Sequence, residues 1–226
     1  MIIAGLDSSL SSPGCVKFHL DDELNILSIE YLGFNSKTLK EYDNIINTKK
    51  LKFTDEIDRN IRQSDLIVDF LKDAEYVAIE GFSYGSPGRL AQLGEFIGIV
   101  KSKLYPLGVK MRIYDPRTVK MNACHGNGNA DKYDMLLAYE NDKCGLDLSM
   151  LPTIDPEKLA HRKAGISPLN DIVDAFWLGK LLILEMQLRK GLVSLKNLGE
   201  EKIKIFNRVT KANPVNILDT EFTGKQ

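Results

Sequence analysis

Only 3 of the 226 residues are cysteine and only 3 are histidine. Cys15, Cys124 and Cys144 form no CxxC pair and are odd in number, which argues against a zinc cluster and against a disulfide framework. A chain of this length buries enough surface to fold without either, and such sparing thiol use fits a reducing, cytoplasmic setting. Long apolar runs are also missing. The best, over 175–184, is interrupted by Lys180 and falls short of the roughly 20 apolar residues that span a bilayer. The first twelve residues carry no positive stretch and run into Asp7, so no signal peptide is expected. There is no GxxxxGK[ST] phosphate loop, no internal repeat and no low-complexity tract. No sign of charge dominates, with 30 Lys and Arg against 31 Asp and Glu. The chain as a whole therefore offers no polycation to a nucleic acid. At 43% hydrophobic and 27% charged, it has the composition of an ordered globular protein, of one to two domains.

The charge is unevenly placed. Residues 1–81 hold 9 Lys/Arg and 15 Asp/Glu, whereas residues 82–132 hold 8 and 3. A basic middle in an acidic chain suits a phosphate-facing surface, although a solvated face gives the same pattern. Three apolar runs, over 1–6, 14–20 and 25–34, read as strands, the last two separated by Asp21-Asp22-Glu23 in an antiparallel meander. Residues 35–52 are polar and weakly patterned, as expected of an inserted, mobile segment. Helical spacing follows over 54–72, with Thr54 as the expected N-cap. Then come a strand over 76–79, a glycine-rich loop over 82–88 and a helix over 89–105 whose apolar side could face a partner subunit or the core. A strand over 109–114, a helical turn from Pro116 broken by Gly126-Asn127-Gly128-Asn129, a helix over 130–141 and a long helix over 169–190 complete the order. The tail, 191–226, is expected to be loose or separately packed. This order predicts an α/β layer architecture with a mixed sheet.

The acids fall at the ends of the buried elements. Asp7 ends the first strand, Glu80 follows Val77-Ala78-Ile79, and Asp171 and Asp174 open the last helix, three residues apart and on one face. Each has an ordinary explanation: a turn, an arginine partner, a helix N-terminus. Together they suggest a metal site, because ionised carboxylates are costly to bury unless paired or bound to a cation. Hard divalent ions take oxygen ligands, and two of them can clamp a phosphodiester for attack by water.

These segments resemble a known family. Gly5-Leu6-Asp7-Ser8-Ser9-Leu10, Val77-Ala78-Ile79-Glu80, Val119-Lys120 with Gly126-Asn127-Gly128-Asn129-Ala130-Asp131-Lys132, and Asp171-Ile172-Val173-Asp174-Ala175-Phe176 resemble, in order, the motifs of RuvC-type Holliday junction resolvases. The glycine-asparagine run is most similar to the phage-encoded branch. The resemblance spans residues 1–190, which implies a nuclease domain over 1–190 (with 35–52 inserted) and a C-terminal extension over 191–226. It implies an RNase H-like fold, a mixed β-sheet flanked by α-helices. It further implies a homodimeric, Mg²⁺-dependent crossover junction endonuclease, with Mn²⁺ as a substitute, acting on branched DNA in a bacterial cytoplasm or that of a phage-infected host. Carried over, Asp7, Glu80, Asp171 and Asp174 are the metal ligands, and Lys120 and Lys132 act at the scissile phosphate. Phe82, Tyr84, Arg89, Arg117, Lys120 and Lys132 are the candidate DNA contacts, with Phe82 or Tyr84 as the aromatic that stacks on unpaired bases. The interval from Lys120 to Lys132 is one residue longer than in the bacterial enzymes. His125 and His161 read as surface or loop residues.

Two alternatives stand beside the nuclease. A junction-binding protein with little cleavage would keep the fold, but the presence of all four acids speaks against it. An actin-like nucleotide hydrolase also begins with a strand ending in Asp, but needs further phosphate and adenosine loops that are absent here.

Overall fold

A computed structural model describes residues 1–36, 41–82, 90–142, 144–151, 167–207 and 215–224. At its centre is a six-stranded mixed sheet. β1 (Ile2–Asp7), β2 (Gly14–Leu20) and β3 (Ile26–Asn35) pair antiparallel, as the alternating apolar runs and the tight acidic turn require. β4 (Ile45–Asn47) lies parallel to β3 at one edge. On the other side β5 (Tyr76–Glu80) runs parallel to β1, and β6 (Lys110–Tyr114) runs parallel to β5. The order is thus β4-β3-β2-β1-β5-β6. Because β1, β3 and β5 all point the same way, Asp7 and Glu80 end at the same edge of the sheet.

Parallel strands need crossovers, and helices supply them. α1 (Glu56–Leu71) leads into β5, and α2 (Leu90–Leu104) joins β5 to β6. Ile67 and Leu71 of α1 and Phe96, Ile97 and Val100 of α2 are buried with Ala4, Leu6, Val77 and Ile79 on one face of the sheet. The apolar side of α2 therefore faces the protein's own core. α3 (Pro116–Ala123), α4 (Lys132–Asp142), α5 (Leu169–Arg189) and α6 (Glu200–Phe206) pack on the opposite face. Among the described residues, no helix is long and apolar enough to cross a membrane.

α5 sits unusually close to the sheet, and glycines permit it. A methyl group on Gly5 would lie 1.9 Å from the Ala175 carbonyl oxygen, and one on Gly14 would lie 2.3 Å from that of Asp171. Gly179 of α5 in turn leaves room for the Phe18 ring, 2.2 Å from where its methyl would stand. Helix backbone rests directly on strand backbone, and this carries the first turn of α5 to the end of β1.

Three expectations need correction. α1 is capped by Asp55, whose side chain accepts from the Asp58 N–H, and not by Thr54. Within 35–52, expected to be weakly patterned and mobile, residues 45–47 form β4 and Asn47 and Thr48 are buried. A run of three strand residues in a polar stretch leaves too little alternation to read. The described parts of the tail, 191–207 and 215–224, are neither loose nor separately packed. Ile205 and Phe206 are buried in the α5-side core, and Thr223 exchanges backbone hydrogen bonds with Met111 of β6 at 2.6 and 3.0 Å. The fully buried Glu185 of α5 organises this end of the molecule. It accepts from Arg112 (2.7 Å), Arg189 (2.7 Å) and the Tyr114 hydroxyl (2.5 Å). The two arginines also donate to tail carbonyls at Ile217, Thr220 and Glu221, and Phe222 packs between them and Tyr76.

Candidate active site

The sheet edge where β1 and β5 end opens into a cavity of about 420 Å³. Asp7, Glu80, Asp171 and Asp174 all line it, together with Lys120 and Lys132. The six side chains come from β1, β5, α3, α4 and α5, so the sequence brings them together only through the fold. Asp7 is 6% exposed and Asp171 is 4% exposed; solvent reaches them only through the mouth of the cavity.

Burial, and for Asp7 and Asp174 the neighbouring carboxylates as well, opposes ionisation in this cavity. Burial, then the charges of Glu80, Asp171 and Asp174, drive Asp7 well above the ordinary carboxylate range, with Lys132 opposing. Burial raises Glu80 against a hydrogen bond with Asp7 and the two lysines. Burial and the neighbouring acids push Asp174 up to about 7 despite Lys132. Lys132 supplies counter-charge. Its Nζ stands 3.7 Å from Asp171 Oδ1 and 3.9 Å from Asp174 Oδ2. Burial alone would depress it, but Asp171, Asp174, Asp7 and Glu80 outweigh burial and hold its ammonium above the usual lysine range.

The donor set fits a hard divalent cation. It is all carboxylate oxygen, it is short of positive charge, and Asp171 Oδ2 is buried with no hydrogen-bond partner. Such an atom is costly unless something else satisfies it. Among the described residues no three such side chains already stand around one point at ion-holding distance. The acids are neighbours that a cation would draw together, not a finished cage.

The other candidates are placed less uniformly. Arg117 is exposed and lies across Gly128, where a methyl would come within 2.5 Å of its Cγ; it does not line the cavity. Phe82 is half-buried, its ring tip 3.9 Å from the position of a methyl on Gly94 of α2, and it too stands outside the cavity lining. Tyr84, Arg89 and His161 fall outside the described residues, and His125 is exposed with a φ of 47°. Several lining residues were not among the candidate site residues. Ser8, Ser9, Leu10 and Ser11 of the β1–β2 turn form one wall, and Leu90, Leu93, Val119, Met135 and Leu178 form an apolar one.

No known protein family's profile matches the chain, and no curated protein matches it either. Solved structures do. Thermus thermophilus RuvC is 20% identical, covering 84% of this chain and 97% of its own at a TM-score of 0.47. The same protein in complex with Holliday junction substrate gives 18%, 84%, 97% and 0.47. The Fowlpox virus resolvase with its substrate Holliday junction DNA gives 17%, 82%, 99% and 0.46. At these identities and scores, the weight falls on the cavity's own chemistry.

Proposed function

We propose that the protein is a divalent-metal-dependent endonuclease selective for branched DNA, four-way junctions above all. The observation that carries this reading is the meeting of Asp7, Glu80, Asp171 and Asp174 in one cavity beside Lys120 and Lys132. The motif resemblance to junction resolvases supports the choice of substrate. The four acids would hold Mg²⁺, or Mn²⁺ in its place, which when bound supplies charge for activating water and for stabilising the leaving oxygen. The chain's own residues do the rest. Lys132, half-exposed at the mouth, meets the phosphate and offsets charge that builds on its oxygens. Lys120 adds a second positive charge to the cavity. Burial of Asp7 and Asp171 keeps bulk water from competing for their oxygens. The reading places this activity on residues 1–190, with 191–226 as an extension. It takes a homodimer to present two such cavities to two like strands of a junction. Retention of all four acids favours cleavage over binding alone.

The test is cleavage of a panel of branched and linear duplex DNAs with Mg²⁺, Mn²⁺ or Ca²⁺, using the parent and Asp7→Asn. The expected result is metal-dependent nicking of four-way junctions by the parent and a loss of at least a hundredfold in the variant. Junction cleavage by Asp7→Asn at the parent's rate would falsify the assigned site.

A further inference from the structure

Lys132 occupies a position that helix energetics disfavour. It is the first residue of α4, where the positive end of the helix dipole repels a cation. Its neighbours hold it there. Asp131 Oδ1 accepts from the backbone N–H of Tyr133 (3.0 Å) and of Asp134 (2.9 Å), and Asp134 Oδ2 accepts from the Asp131 N–H (3.0 Å). This is a reciprocal capping box with the lysine as its second member. It fixes the backbone of Lys132 from both sides. The two caps also place negative charge at the helix terminus, which compensates the cation.

We propose that Asp131 is a positioning residue, which sets the aim of Lys132 at Asp171 and Asp174 through its cap on α4. The inference rests on the nuclease reading for its functional consequence. It also separates Asp131 from the metal-binding acids, since its Oδ1 is committed to two backbone donors. The adjacent Asn127 Oδ1 accepts from the Asn129 N–H at 3.1 Å, so the approach to the cap is ordered too.

The test compares Asp131→Ala, Asp131→Asn, Lys132→Ala and the Asp131→Ala/Lys132→Ala double variant. Asp131→Ala should lower kcat for junction cleavage about tenfold, with Kd for the junction and for Mn²⁺ within twofold of the parent. Asn keeps the accepting oxygen, so Asp131→Asn should restore most of the rate. In the Lys132→Ala background Asp131→Ala should cost nothing more, because residues that act as a unit are not additive. Amide exchange at Tyr133 and Asp134 should quicken at least tenfold in Asp131→Ala, a readout independent of cleavage. An equal further loss in the Lys132→Ala background, a weakened Mn²⁺ affinity, or unchanged amide exchange would overturn the assignment. A parent that cleaves no DNA would instead overturn the nuclease reading, whereas a Lys132→Ala variant that cleaves at the parent's rate would overturn the role of Lys132, and with it the consequence drawn here for catalysis.

Discussion

Asp174 shows what the cavity costs at the level of a single residue. Its carboxyl is ordinary near 3.8 in the unfolded chain and is raised to about 7 in the metal-free fold. The folded protein thus binds more protons than the unfolded one between those values, and stability falls as pH rises through that window. The contribution is fully present below about 3.8 and is lost above about 7. Asp174→Asn should remove this slope. Without divalent metal at pH 8, it should unfold later in urea by on the order of 1–3 kcal/mol, while at pH 4 the two proteins should differ little. Asp7→Asn should behave alike. Both should lose cleavage. A variant no more stable than the parent at pH 8 would mean that burial and the neighbouring acids do not hold Asp174 above its ordinary range.

α5 owes its position to residues that are absent as much as to those present. Gly5→Ala would drive a methyl into the Ala175 carbonyl, which is backbone and cannot turn aside. We expect a destabilisation of roughly 3 kcal/mol or more in urea unfolding. Gly98 makes the control. It lies exposed on α2 with nothing within 4 Å of a new methyl, so Gly98→Ala should stabilise by about 0.5–1 kcal/mol. At the other end of α5, Phe222→Ala would remove the ring that Arg112, Arg189 and Tyr76 enclose. It should cost about 1–3 kcal/mol and speed amide exchange at Thr223.

This scale also shows what the sequence made legible. Short continuous apolar runs bounded by turns, such as β1 and β5, and the helical period over the 21 residues of α5 declare themselves. All four acids were findable because each closes or opens such an element. β4 was not, since three residues carry no period, and the tail was not, since its anchors are scattered single side chains: Arg112, Glu185 and Phe222. The wall formed by Ser8, Ser9, Leu10 and Ser11 was not readable as one, because such a polar segment reads as a turn whether or not a cavity opens beside it. The cap at Asp131 and Asp134 was not read, since the helix expected over 130–141 begins before it, and only the fold shows that the lysine between them faces two aspartates.

Over the whole molecule the charges nearly cancel, with a net of −1, so any affinity for DNA has to be local. The 82–132 segment holds the excess of positive charge. The structure places Lys120 and Lys132 from it in the cavity, and Arg117 exposed on α3 against Gly128. Net charge then predicts weak, repulsive encounters with duplex DNA, and these cations predict capture only where the backbone can approach them closely. Arg117→Glu tests this without touching the carboxylates. The parent's junction affinity should fall steeply with salt, and the variant's slope of log K against log salt should be shallower by about one unit, the signature of one lost phosphate contact. Cleavage at saturating DNA should change less than affinity does. If the slope does not move, the DNA crosses a different face, and the positive charge of 82–132 beyond the cavity itself is only a solvated surface.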